Sequence, residues 1–209
     1  MTMRLAFLFV LAFLTPVADA VEFEEGRHYF VIEDAKPVPA PPGKVSVVEV
    51  FSYACGACAV FQPEVDKWRP TAPAEAAFSY LPAAWNANWE AFARAYYAAD
   101  ALGLLLRSHR GLFKALHNDR LPIRTVDDIA NYYTRFGVTK EQFLAAFNSP
   151  ETSAKVAHAK SQVPDWGVDQ TPTMVVAGKY RVNSREASSA GGVFEVVNFL
   201  VAKEAGAAK

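Results

Sequence analysis

The sequence predicts an α/β fold in which an all-helical insertion interrupts a mixed sheet. Val45–Phe51 is rich in β-branched residues, which predicts a strand buried on both faces, and helix-favouring residues follow it. Residues 86–159 carry a succession of helical patterns. Residues 173–182 predict a hairpin of two short strands, and Gly192–Lys203 predicts a closing helix. The sheet therefore resumes after the helical block.

Capping residues divide the helical block into five segments. Asn88 is expected to cap a first helix over Trp89–Arg107, and a second helix is expected over Ser108–His117. The starts of the other three are predicted from capping-box spacing or from proline at the first helical position, at Thr125–Asp128, Thr139–Gln142 and Ser149-Pro150. Residues 24–31, N-terminal to the buried strand, are predicted to form the opening strand of the sheet.

The first 20 residues predict a cleaved export signal that is not part of the fold. Arg4 gives a positive start, Leu5–Leu14 is almost wholly apolar, and Ala18-Asp19-Ala20 fits the small-x-small cleavage pattern. The apolar run is shorter than the roughly 20 residues that a transmembrane helix needs. We expect cleavage after Ala20 and no membrane span in the remainder. A retained N-terminal anchor is the alternative.

The composition is that of an ordinary globular protein. Charged residues make up 21% of the 209 residues and hydrophobic residues 52%, which excludes a disordered chain. The formal net charge is −1, from 21 Lys+Arg and 22 Asp+Glu. No strong net charge directs the chain to nucleic acid or to an anionic membrane, so charge says little about its partners, and we expect no nucleic-acid partner.

The chain has only two cysteines, Cys55 and Cys58, in the motif Cys-Gly-Ala-Cys. Most cysteines of exported proteins form structural disulfides, but closing so small a loop removes little chain entropy. A structural zinc site needs four ligands, and no second such motif follows. The histidines lack ligand spacing and are interpreted as exposed surface residues: His28, His109, His117 and His158. We therefore expect no metal and no cofactor beyond a reversible Cys55–Cys58 redox pair.

The flanking residues predict different chemical roles for the two cysteines. Ser52–Ala54 is predicted to be a turn, so Cys55 lies at the start of a helix that runs to Trp68. Free N–H groups and the helix dipole stabilise a thiolate there. Cys58 lies one turn further on and should be covered. We expect Cys55 to react with substrates and Cys58 to resolve the mixed disulfide.

Together these motifs resemble the thioredoxin superfamily. The resemblance rests on the run Glu49–Cys58, on Pro63 in the same helix and on Gln170–Thr173 far downstream. Over nearly all of residues 21–202 the chain resembles the DsbA-type periplasmic oxidases, which fill the long interval before Pro172 with a helical domain. The resemblance implies a thioredoxin-like domain from residues 21–85 and 160–209, with 86–159 as the helical insertion.

The same resemblance implies a function and its partners. It implies a monomeric, periplasmic thiol:disulfide oxidoreductase that introduces disulfide bonds into reduced, cysteine-containing exported proteins. A membrane quinone reductase of the DsbB type would reoxidise it. Two alternatives remain open. One is a periplasmic disulfide isomerase or reductase, because Thr171 before the proline is a residue seen in isomerases. The other is a non-redox relative that binds substrate in a groove.

Two further site features follow from the resemblance. It implies a cis Thr171–Pro172 peptide bond beside the cysteines, which leaves the Thr171 backbone free to pair with a substrate strand. It also places an acid at Glu49. In a buried strand the pKa of this carboxyl would be raised, and the carboxylate would accept the proton of Cys58. The alternative is that Glu49 is a surface residue of the strand and forms a salt bridge. The lysine that DsbA-type oxidases often place near this acid is missing from Ala76–Pro82.

The dipeptide Gly56-Ala57 lies between the cysteines, where we expect it to face the substrate. Neither residue offers a charge or a side-chain donor. The relatives that carry histidine in this dipeptide use it to stabilise the thiolate. We therefore expect a weaker oxidant than those relatives.

Overall fold

The protein folds around a five-stranded mixed sheet, as the sequence predicts. A computed structural model describes residues 23–185, 187 and 191–207. Within them the strand order is β1-β5-β4-β2-β3, with β2 and β3 parallel and the other pairs antiparallel. The strands are β1 (Phe30–Val31), β2 (Val45–Phe51), β3 (Ala76–Pro82), β4 (Thr173–Val176) and β5 (Tyr180–Asn183).

Seven α-helices are present in this part of the chain, and five of them lie between β3 and β4. They are α1 (Gly56–Trp68), α2 (Ala87–Ala101), α3 (Leu105–Phe113), α4 (Val126–Tyr133), α5 (Lys140–Phe147), α6 (Pro150–Asp165) and α7 (Val193–Ala207). A π-helical turn, Lys114–Asn118, extends α3, and 3₁₀ turns follow α1 and α4 at Arg69–Thr71 and Thr134–Phe136.

The sheet has a hydrophobic core on each face because every residue of β2 is buried. Val47 faces α1 and α7, where it packs with Trp68 and Leu200. Val48, on the opposite face, packs with Val163 of α6. A third core lies among helices α2–α5 and reaches the end of β2, taking in the following residues: Phe51, Tyr53 and Cys58. The helical block thus packs directly against the segment that carries the cysteines.

The caps of the last three inserted helices agree with the sequence. Thr125 and Asp128 form a capping box before α4, and Thr139 and Gln142 form another before α5. The hydroxyl of Ser149 accepts a hydrogen bond from the Thr152 N–H, with Pro150 at the first position of α6. Each side chain satisfies N–H groups that the first turn of a helix leaves free.

The first two inserted helices differ from the prediction. Asn86, and not Asn88, caps α2 by accepting a hydrogen bond from the Trp89 N–H at 3.0 Å. The helix ends at Ala101, because the chain turns through Gly103 with φ of +67°, a conformation that glycine adopts freely. A new helix, α3, starts at Leu105.

The opening strand is also shorter than predicted. Residues 24–27 form a turn closed by the His28 N–H on the Glu24 carbonyl oxygen, so that only Phe30–Val31 pairs with β5. The predicted export signal, residues 1–20, lies outside the described residues. No helix in the described ranges is long and apolar enough to cross a membrane. The division at 85/86 and 159/160 stays a prediction, and its second boundary falls inside α6.

Candidate active site

Cys55 lies at the N-terminus of α1, immediately before its first residue. It has extended backbone angles, and its sulfur accepts a hydrogen bond from the Cys58 N–H at 3.3 Å. The sequence favours this arrangement because the buried strand β2 ends at Phe51 and the chain turns through Ser52–Ala54. The Cys55 N–H closes that turn on the Ser52 carbonyl oxygen at 3.0 Å. The sulfur therefore meets the free N–H groups of a helix start.

The two thiols are free, and their pKa values are shifted in opposite directions. Cys55 is half-buried, and its pKa is lowered to about 5, first by a hydrogen bond from the Cys58 thiol and then by the Thr171 side chain and backbone N–H groups, against the opposing effect of burial. Cys58 is fully buried, and this burial, together with the neighbouring Cys55, raises its pKa far above the ordinary value for a thiol. At neutral pH the pair is one thiolate on Cys55 and one thiol on Cys58.

The Thr171–Pro172 segment faces the cysteines from the end of the helical block. Its peptide bond is cis, and the Thr171 carbonyl oxygen lies 3.5 Å from the Cys55 sulfur. Pro172 is buried directly before β4. The structure thus brings Cys55, Cys58 and Thr171 together, and it leaves Gly56 and Ala57 exposed in the first turn of α1.

Glu49 lies in β2 on the face covered by α1. It is 0% exposed, and neither carboxylate oxygen has a hydrogen-bond partner among the described residues. Burial raises the pKa of Glu49 well above its ordinary value, and the nearby charges of Asp66 and Cys55 add to the shift. A salt bridge, the alternative interpretation of this acid, is absent from the described contacts.

Tyr80 occupies the place next to Glu49 in the neighbouring strand. The two residues are in register across the parallel β2–β3 pair, so their side chains lie on the same face of the sheet. Burial and the charge of Glu49 raise the pKa of Tyr80. Its hydroxyl accepts a hydrogen bond from the Gln62 Nε2 at 2.9 Å, and the same amide donates to Asp66. Glu49 thus adjoins a polar network, but no cation among the described residues is paired with it.

Comparison with known proteins decides the family. A family model described as "DSBA-like thioredoxin domain" matches residues 75–190, more than half of the chain. The thiol:disulfide interchange protein DsbA of Pseudomonas aeruginosa is 32% identical over 193 residues, which cover 92% of this chain and 90% of that protein. The chain belongs to the DsbA family. The Burkholderia cepacia DsbA is 31% identical, with coverage of 91% and 88%.

Solved structures of DsbA proteins share the fold. The structure of Pseudomonas aeruginosa DsbA has a TM-score of 0.79 at 32% identity and covers 89% of this chain and 96% of its own. That of the Xylella fastidiosa oxidoreductase DsbA has a TM-score of 0.80 at 34% identity, with coverage of 88% and 98%. The thioredoxin-like fold with an inserted helical block is thereby confirmed, and the chain is a disulfide oxidoreductase.

The interpretation of the four histidines as exposed is wrong for three of them. His158 is exposed, but His28 and His109 are buried and His117 is half-buried beside the active site of this DsbA-family protein. His109 and His117 are covered by residues distant in the chain, which the spacing of the histidines does not predict. Among the described residues no group of three or more His, Cys, Asp or Glu is arranged to hold a metal.

His109 is the centre of a buried polar network that the sequence did not reveal. Its Nε2 lies 3.0 Å from the Gln62 Oε1, and its Nδ1 lies 2.7 Å from the Tyr53 hydroxyl. Asp66 can only accept, which fixes the orientation of the Gln62 amide. His109 must then donate from Nε2 and accept from Tyr53 at Nδ1. Burial lowers the pKa of His109 to about 3, so the ring is neutral.

Proposed function

We propose that Cys55 and Cys58 are the redox pair through which this oxidoreductase introduces disulfide bonds into exported proteins. A substrate thiolate attacks the Cys55 sulfur of the Cys55–Cys58 disulfide and forms a mixed disulfide, releasing Cys58 as the leaving group. A second substrate thiolate then attacks the substrate sulfur, which forms the substrate disulfide and expels Cys55 as a thiolate. Two electrons pass from the substrate to the pair, and Cys58 retains one proton.

The observation that carries this proposal is the contrast in acidity within the pair. A sulfur whose pKa is lowered to about 5 is a good leaving group, so the mixed disulfide on Cys55 is easily broken by the substrate. The buried sulfur of Cys58 stays protonated and inaccessible. Release of the reduced protein is thus favoured over recapture of the substrate, as an oxidase requires.

Glu49 is proposed as the group that exchanges a proton with Cys58. The buried carboxyl lies on the α1 face of β2, and the Cys55 thiolate contributes to its raised pKa. When Cys58 leaves as a thiolate, a protonated Glu49 supplies its proton, and in the reverse direction the carboxylate accepts it. A carboxyl with a raised pKa can both donate a proton to Cys58 and accept one from it, because its pKa is closer to the working pH than that of an ordinary carboxyl.

Thr171 is proposed to bind the substrate backbone. Its carbonyl oxygen lies beside the Cys55 sulfur, and an extended peptide that reacts with Cys55 passes this edge. Gly56 and Ala57 are exposed next to it and present little bulk to an incoming chain. Pro172 has no N–H, so it neither donates to the sulfur nor competes with the substrate.

We also infer the setting of the reaction. An export signal in residues 1–20 and a redox pair with an acidic thiol fit the periplasm, where reduced exported proteins are the substrates. Each turnover leaves the pair reduced, so a membrane quinone reductase of the DsbB type is the proposed reoxidant. The protein is proposed to act as a monomer.

A disulfide isomerase is the second candidate, and Thr171 before the proline favours it. The two functions separate when catalytic amounts of oxidised protein are added to a reduced, cysteine-rich substrate. An oxidase speeds disulfide formation, whereas an isomerase rescues only scrambled substrate. A non-redox relative that binds substrate does neither. Faster rescue of scrambled than of reduced substrate would exclude the proposed oxidase.

The roles of the two cysteines are tested by substitution. Cys55→Ser should abolish oxidation of the substrate, and Cys58→Ser should accumulate mixed disulfides between Cys55 and substrate proteins. The check is alkylation of the reduced wild-type protein at about pH 7 followed by peptide mapping. Labelling of Cys58 with protection of Cys55 would reverse the assignment.

A further inference from the structure

We propose that His117 is a positioning residue of the redox pair, which holds the turn before Cys55 through the Tyr53 carbonyl oxygen. The proposal deepens the function above and rests on Cys55 being the acidic thiol. His117 comes from the π-helical turn Lys114–Asn118, which belongs to the helical insertion and packs against α1. It is therefore far from the cysteines in sequence and close to them in space.

The imidazole of His117 is hydrogen-bonded to the chain before Cys55 and lies near Gly56, which follows Cys55. Its Nε2 lies 2.7 Å from the Tyr53 carbonyl oxygen, which can only accept, so Nε2 carries the hydrogen. Its Nδ1 lies 3.8 Å from the position that a Cβ would take on Gly56. A Cβ there would make only an ordinary van der Waals contact, so the ring is next to Gly56 but does not require glycine at that position.

The side chain of Tyr53 is held by a second histidine from the same helical stretch. Its hydroxyl donates to the Nδ1 of the buried His109 at 2.7 Å. Backbone and side chain of Tyr53 are thus both bonded to the segment that runs from α3 into the π-helical turn. This residue is fully buried and stands two positions before Cys55. The helical insertion consequently fixes the turn from one side, while β2 fixes it from the other.

The turn decides how well the thiolate is stabilised. Hydrogen bonds to Ser52 close it: its carbonyl oxygen accepts from the Cys55 N–H at 3.0 Å and its hydroxyl from the Ala54 N–H at 3.2 Å. The Cys55 sulfur then lies 3.3 Å from the Cys58 N–H. For a sulfur acceptor this is a close contact, and a shift of the turn would lengthen it or misalign it and so weaken it. Loss of the His117 bond permits such a shift.

The shift affects the two redox states unequally. In the oxidised protein the covalent bond to Cys58 holds the Cys55 sulfur, whereas in the reduced protein only the turn and the helix start hold it. When two substrate thiols reduce the pair, one thiolate and one thiol form, a substrate disulfide forms and one proton is released. Weaker stabilisation of that thiolate shifts this equilibrium back toward the oxidised pair, which makes the protein a weaker oxidant.

The test compares three variants of the full-length mature protein. His117→Ala removes the bond to Tyr53, His117→Gln keeps a donor at the same distance from the backbone, and His158→Ala changes an exposed histidine of α6 as the control. Thiolate absorbance against pH measures the pKa of Cys55, and equilibrium with reduced and oxidised glutathione measures oxidising power. Circular dichroism and thermal unfolding report the fold separately.

We expect His117→Ala to reduce oxidising power in the glutathione equilibrium about two- to tenfold, the effect of one hydrogen bond. The pKa of Cys55 should rise by up to about one unit in step. His117→Gln should restore most of both values, and His158→Ala should change neither. Unchanged redox values in His117→Ala, with or without lower thermal stability, would overturn the proposal. So would equal losses in the alanine and glutamine variants, because these would indicate an effect of the ring itself.

A failure of the proposed function has a different signature. The acidic thiolate titration of the wild-type protein would then persist in the Cys55→Ser variant and disappear in the Cys58→Ser variant. The histidine variants do not affect that result, so the two failures are distinguishable.

Discussion

Replacing Glu49 by glutamine keeps the shape of the side chain and removes its charge. Both carboxylate oxygens are buried without a hydrogen-bond partner in the described structure. A buried, unpaired ion costs several kcal/mol even after relaxation, whereas a buried, unpaired neutral polar group costs about 1–3 kcal/mol. We therefore expect Glu49→Gln to be more stable than wild type by about 1–3 kcal/mol at pH 7. For a chain of this size each kcal/mol corresponds to about 2–4 °C in Tm.

The pH dependence identifies the cause of that gain. The pKa of Glu49 is raised in the folded state, so above the ordinary carboxyl pKa of 4.5 the folded protein binds more protons than the unfolded one. Its stability then falls as pH rises from 4.5 toward the folded pKa. The glutamine variant lacks this loss. Its advantage should be present at pH 7 and should vanish below about pH 4.5, where both side chains are neutral.

Chemical denaturation of the oxidised proteins at pH 4 and pH 7 measures this difference without titration of the cysteines. Glu64→Gln, an exposed substitution on α1, is the control and should change stability by less than about 0.5 kcal/mol. An equal stability difference at both pH values, or a glutamine variant that is less stable at both, would show that the charge of Glu49 is not what burial penalises.

The same variant tests the proton transfer. A Cys55–glutathione mixed disulfide resolves only when Cys58 attacks it as a thiolate, so the rate of glutathione release depends on an acceptor for the Cys58 proton. General bases typically contribute about 10²–10⁴-fold, and we expect resolution to slow at least about tenfold in Glu49→Gln. Formation of the mixed disulfide should be less affected. Equal resolution rates would assign Glu49 a structural role only.

Three further predictions concern the redox pair and its surroundings. Ala57→His adds a donor at the exposed start of α1. A hydrogen bond to the thiolate is worth roughly 1.5–3 kcal/mol, so the glutathione-derived potential should rise by a few tens of millivolts and the pKa of Cys55 should fall. The reduced protein should gain stability relative to the oxidised one as pH rises from about 5 to about 9, because Cys55 keeps its proton in the unfolded state and has lost it in the folded state. It should lose stability above about pH 9, where Cys58 ionises only in the unfolded state. Denaturation of both forms across this pH range measures the difference. The low pKa of His109 should cost stability as pH falls from 6.5 to about 3, and the same measurement on His109→Gln should show a shallower loss.

Local signals predicted the elements that carry the cysteines. The β-branched run Val45–Phe51 and the helix after Cys55 depend on near neighbours in sequence, and the structure confirms both. The capping boxes at Thr125 and Thr139 are equally local. The sequence did not predict that α2 ends before Gly103, because the helical spacing of apolar residues continues past this glycine. The positive φ of Gly103 ends the helix. Propensity over one window does not show which glycine adopts a positive φ.

The partners of the active site were not predictable in the same way. His109 is buried because Phe51, Tyr80 and Phe113 surround its ring, and these come from β2, β3 and α3. Tyr80 neighbours Glu49 only through the register of two parallel strands. Phe113 is one turn from His109 in α3, but the other contacts join residues separated by tens of positions, and an isolated sequence contains no period or spacing that reports them. The motif and its flanking elements supplied the cysteines, the family resemblance supported the acid, and the structure supplied the residues that surround them.

The helical insertion is part of the redox site. Cys58 lies in the same hydrophobic cluster as Phe92 of α2 and Leu112 of α3. The burial that raises its pKa therefore depends on the insertion as well as on the sheet. A substitution in α2 or α3 that places a polar side chain in this cluster, or exposes Cys58 to water, would lower that pKa and reduce the contrast in acidity with Cys55. The insertion thus contributes to the asymmetry of the pair, and substitutions within it are a means of changing redox chemistry without changing the Cys-Gly-Ala-Cys motif.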